Sequence, residues 1–105
     1  MMQAEPKTNA WNDGFEQRRE ARHRVSLTAQ LRYFREQSDV RVLDLSSGGA
    51  MIEADAPPAR GEEVVLVRGA VQVVATVAWV KEHHCGLCFH RAVDKRALMA
   101  PLAAA

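Results

Sequence analysis

The sequence is poor in cysteine, in aromatic residues and in net charge, and each shortage excludes something. Cys85 and Cys88 are its only cysteines, too few for the disulfide framework of a small secreted domain. Aromatic residues make up 6%, so the core has to be built mostly from Val, Leu and Ala. A formal charge of +1 excludes a protein that holds a nucleic-acid polymer by bulk charge. It leaves room for a local cluster of arginine. No run approaches the roughly 20 apolar residues that span a membrane, and Pro101 interrupts the apolar C-terminal stretch. The first 12 residues are polar and lack the apolar core of a signal peptide. The chain therefore reads as soluble and cytoplasmic, with no membrane partner. No internal repeat is present. A length of 105 residues gives room for one domain, and an apolar content of 48% supplies its core.

What is present is a run of short strands. Residues 1–17 mix Pro, Asn, Asp, Gly and Gln with isolated apolar residues and read as a flexible tail. Arg18 to Arg24 is a basic hinge. From Val25 the pattern has period two: Val25, Leu27, Ala29, Leu31 and Tyr33 alternate with polar residues, as in a half-buried strand. Glu36 to Asp39 reads as a turn. A second strand begins at Val40 and stops at Asp44-Leu45-Ser46-Ser47-Gly48-Gly49. Further strands follow at Ala50–Ala54, Glu63–Arg68, Val71–Val80 and Gly86–Phe89. The Pro57-Pro58 loop, the Gly69-Ala70 turn and the Lys81–His84 turn separate them. Asp94 is placed to cap a short helix over Lys95–Met99. Six strands with almost no helix predict an all-β antiparallel sandwich or barrel.

Two constellations carry candidate chemistry. Arg18-Arg19-Glu20-Ala21-Arg22 sets guanidinium forks around a short spacer. Such forks pair with phosphate or with the O6/N7 edge of guanine. In Asp44-x-Ser46-x-x-Gly49 the carboxylate accepts hydrogen bonds and the hydroxyl works in either sense. Gly49 permits close backbone approach, or a positive φ, without a Cβ penalty. Taken singly, the first is an ordinary solvated basic segment and the second an ordinary polar turn.

Taken together, in this order and strand context, they resemble the PilZ domain. The match is Arg18-x-x-x-Arg22 before an alternating strand, then Asp44-x-Ser46-x-x-Gly49. Val77-Ala78-Trp79-Val80, a turn and Gly86-Leu87-Cys88-Phe89 look like that family's last two strands. The resemblance covers residues 16–92 or so. It implies a six-stranded antiparallel β-barrel over residues 18–100, with a flexible N-terminal tail, a short C-terminal helix and a C-terminal tail over 101–105. It also implies a receptor for the bacterial second messenger cyclic di-GMP, with no cofactor besides that ligand. The family's site would fall on Arg18, Arg22, Asp44, Ser46 and Gly49, with Arg19 as a helper cation. The ligand would order residues 1–22 against the Asp44–Gly49 turn and so alter the surface offered to a downstream protein partner.

Other readings compete. Cys85-x-x-Cys88 among His83, His84 and His90 suggests zinc or redox chemistry. Residues three apart on a strand face opposite sides, however, and no second ligand pair or βαβ unit accompanies them. Nothing places a base beside a nucleophile, so an enzyme is not expected. Trp79 reads as core packing, with a place on the ligand surface as the alternative. Arg24 faces either solvent or ligand. A PilZ-like interaction module that binds no nucleotide is the strongest rival reading.

Overall fold

Period-two patterning closes into a barrel in the computed structural model, which describes residues 22–102. The strands are β1 (His23–Tyr33), β2 (Glu36–Leu45), β3 (Gly49–Glu53), β4 (Glu63–Arg68), β5 (Val71–Lys81) and β6 (His84–Phe89), followed by helix α1 (Lys95–Met99). Their order around the closed barrel is β1-β2-β3-β6-β5-β4. Every pairing is antiparallel. Of the two architectures open to the sequence, the barrel is the one adopted. Closure leaves the Val-rich strands β4 and β5 paired on both sides.

The inward residues come from all six strands and α1. Leu31, Val42, Leu45, Ile52, Leu66, Val77, Leu87 and Leu98 are essentially inaccessible. Phe89 is the only buried aromatic among the described residues, as the aromatic shortage requires. Burying one such aliphatic side chain contributes about 1.5–3 kcal/mol.

The seam between β1 and β4 is short, three residue pairs from Gln30–Val67 to Arg32–Val65. Beyond it, β4 ends on Arg68, in the inward phase after Val64 and Leu66. Its guanidinium donates to three carbonyls: Thr28 O on β1 at 2.6 Å, Leu98 O at 2.7 Å and Ala100 O at 3.2 Å. A buried cation thus stitches β1 to the C-terminal end of α1, where the helix carbonyls lack partners. Asp94 caps the other end of α1 by accepting from the Arg96 N–H at 3.0 Å.

Two expectations need correction. The β1–β2 turn is not at Glu36–Asp39. Tyr33 pairs with Glu36, so the turn is Phe34-Arg35, with Phe34 at φ 54°. Glu36 to Asp39 are exposed strand residues. Trp79 is not in the core: it is half-buried and lies outside the barrel, as shown below.

Candidate functional site

Three β-bulges fall at one level of the barrel. They fall between Arg24 and Leu27 on β1, between Val42 and Asp44 on β2, and between Val77 and Trp79 on β5. A bulge inserts one residue and reverses the inside-outside phase beyond it. Val42 points inward, so an unbroken β2 would point Asp44 inward as well. The extra residue, Leu43, returns Leu45 to the core and leaves Asp44 outside. On β5, Ala78 does the same for Trp79 after the inward Val77.

The result is a lateral row of paired residues on the outer face: Arg24, Asp44, Met51, Gly86 and Trp79. Gly86 makes the row possible at its far end. A Cβ there would lie 2.1 Å from the Trp79 indole nitrogen, so only glycine lets the indole lie across β6.

Asp44 is the chemical centre of the row. Its side chain is 16% exposed, and its Oδ2 accepts from Arg22 Nη2 at 2.9 Å. Its Oδ1 is buried and has no hydrogen-bond partner among the described residues. A buried acceptor left in that state costs about 1–3 kcal/mol. Arg22 precedes β1, and Arg24 is paired with Asp44 across the ladder, so two guanidinium groups enter this end of the row.

The turn beyond Asp44 is held by its own backbone and by the segment after β6. The Ser46 N–H donates to Gly49 O at 2.9 Å. The buried Ser46 hydroxyl accepts from the Gly48 N–H at 3.2 Å and lies 3.4 Å from Gly49 O. Gly48 O accepts from Phe89 N–H, and Ser47 O from Val93 N–H, each at 2.9 Å. In this state Ser46 shapes the turn. Gly49 is buried and paired with Cys88. Positive φ occurs at Phe34, Gly61, Gly69 and Glu82 among the described residues, not at Gly49. Of the two reasons offered for glycine at that position, the left-handed backbone drops out.

The structure therefore brings together Arg22, Asp44, Ser46 and Gly49. Arg18 and Arg19 lie outside the described residues. Sequence reasoning left Arg24 and Trp79 open. Alternation with Arg22 was the available signal for Arg24. Nothing in the local sequence announced the Ala78 bulge that turns Trp79 outward.

The cysteines divide as strand geometry requires. Cys85 is fully buried and Cys88, on the other face, is half-buried. Burial pushes the Cys85 thiol up to about 11, the reverse of what a reactive thiolate needs. No group of three or more metal-binding side chains occurs among the described residues.

The fold is a closed six-stranded antiparallel barrel that carries two charged residues and an indole in one row on its outer face. Comparison with protein families names the class: the PilZ domain matches residues 16–102, and the chain belongs to the PilZ family. That family comprises receptors for cyclic di-GMP, which are ligand-binding and adaptor modules rather than enzymes. No curated protein matches the chain significantly. No helix among the described residues is long and apolar enough to cross a membrane.

Proposed function

We propose that this chain is a cyclic di-GMP receptor that binds the nucleotide on the Arg24–Trp79 row and signals through protein contacts. The observation that carries this reading is the unpartnered, buried Oδ1 of Asp44. Guanine presents N1–H and N2–H side by side, and a carboxylate accepts both. A carboxylate offers about four lone-pair sites, so the bond from Arg22 to Oδ2 leaves room for the base. Arg22 and Arg24, joined by Arg18 and Arg19, would oppose the two phosphates. The half-exposed indole of Trp79 offers a face on which a base stacks, a contact of about 1–3 kcal/mol.

Binding would draw the arginine segment down onto the row and order the chain before β1, changing the surface seen by a protein partner. Two measurements test this. Calorimetric titration with cyclic di-GMP should show binding that Arg18→Ala and Asp44→Ala each weaken at least about tenfold, the loss of one good charged contact. Hydrogen exchange across residues 10–24 should slow on saturation. Absence of native binding would leave the ligand-free interaction module. Unchanged exchange would remove the ordering step.

A further inference from the structure

The β1–β2 hairpin is longer than the barrel uses. β3 pairs with β2 only from Arg41 to Leu45; past Glu53 the chain keeps to β6, the Ala54 N–H donating to His83 O at 2.8 Å in that ladder's register, and makes no further pair with β2. On the side away from β1, residues 36–40 of β2 therefore have no strand partner among the described residues. In a two-residue hairpin the flanking pair, here Tyr33 and Glu36, exchanges both hydrogen bonds, and every second residue does likewise. Glu36, Ser38 and Val40 accordingly turn their backbone groups toward β1. Gln37 and Asp39 turn theirs outward, into the line β3 would occupy if it continued.

A groove of about 600 Å³ lies along this open edge. Its lining sets Asp39, Glu53 and Asp55 against Arg41, with the His83 ring beside them. Arg41 is already turned to the Ser26 hydroxyl at 3.0 Å, and the His83 ring to Asp55 O at 3.2 Å. The three carboxylates are exposed. At the hairpin tip Phe34 is 82% exposed and holds a positive φ, a conformation costly for a bulky residue.

We infer that this edge is a β-augmentation site for a cationic extended peptide of a protein partner. The partner strand takes the vacant line beyond Glu53, bonds to the outward backbone of Gln37 and Asp39, and sets alternate Lys or Arg side chains against Asp39, Glu53 and Asp55. Charge selects this occupant over the two nearer at hand. A second copy would bring the same acidic edge against itself. The chain's own basic segment is out of reach while Arg22 sits on Asp44. Arg18 is then four residues away, about 14 Å at most, whereas Asp39 is some 20 Å up the hairpin, opposite Gln30. The site is at the other end of β1–β2 from Asp44 and does not depend on nucleotide binding.

The test uses the full chain without nucleotide and a capped Thr-Lys-Val-Lys-Val-Thr peptide, with Glu replacing Lys in a control peptide. Amide exchange should slow at Gln37 and Asp39 and stay unchanged at Ser38, the alternation that only strand addition produces. Gln37→Pro removes one outward N–H at a position where an edge strand tolerates proline, and should abolish binding with the barrel intact by circular dichroism. Asp39→Lys should weaken binding about fivefold, the equivalent of one cross-strand charge pair. Equal binding of the acidic peptide, absence of alternation, or dimerisation through this edge would each overturn the inference. Cyclic di-GMP titration of the same sample would be unaffected by any of these failures.

Discussion

Arg68 and Asp44 are both charged residues drawn into the barrel wall, and they are treated in opposite ways. Arg68 directs three donors at three carbonyls of β1 and the α1 end. Asp44 spends one oxygen on Arg22 and buries the other without a partner. A hidden charge with its hydrogen bonds filled contributes to holding the barrel together. One with a vacant acceptor contributes little to stability and is poised for a ligand. The seam and the row thus separate scaffold from receptor in a single small domain.

The largest effect should come from the seam. Arg68→Ala frees three carbonyls and unstitches α1, with an expected loss of about 2–4 kcal/mol. Thermal unfolding should then fall by roughly 10 °C or more. A loss below about 1 kcal/mol would collapse the contrast with Asp44. Asp44→Ala should do the converse: cyclic di-GMP binding weakens at least about tenfold, while stability holds or rises, because the partly exposed ion pair that is lost is weak and the cost of the unpartnered Oδ1 is relieved. A large drop in melting temperature for this variant would place Asp44 in the scaffold.

Gly86→Ala sharpens the boundary between the two regions. The new methyl would meet the Trp79 ring, so the indole has to move, at a cost of about 1–3 kcal/mol. The displaced indole should change the protein's fluorescence and weaken nucleotide binding. A changed fluorescence with nucleotide binding retained would separate Trp79 from the site.

The smallest effect concerns a third hidden ionisable group. Burial raises the Cys85 thiol from the ordinary 9.0 to about 11. Its neutral form is thus favoured in the fold. The associated stability is complete below pH 9 and is lost as pH rises through 9 toward 11. Denaturant midpoints across pH 8–11 should fall more steeply for the native chain than for Cys85→Ala. Parallel curves would contradict this.

Much of the fold was legible because period-two patterning survives wherever strands are unbroken. The ends of β4 and its Gly69-Ala70 turn were readable, since glycine supplies the positive φ there. The β1–β2 turn was not, because Phe34 takes that role. The polar run Glu36–Asp39 looks like a turn but is an exposed strand edge. Within the site, Arg22, Asp44 and Ser46 were legible as a motif. Trp79 was misplaced because a bulge is a matter of residue count, which composition does not reveal. Arg68 carried a quiet signal: it follows Val64 and Leu66 in the inward phase, where a charged residue needs carbonyls waiting.

The bulges on β2 and β5 have a consequence for how the outer face is filled. Between matching inward layers β2 has two residues (43–44) and β3 one (Met51), with Gly86 alone on β6 and two on β5 (78–79). Removing Ala78 would leave Trp79 alone between Val77 and Val80, still outward opposite Gly86, and would take only the bend out of β5. Each bulge sets two outward residues against one on the neighbouring strand, so side chains crowd onto the row while the inward layers on either side stay in register.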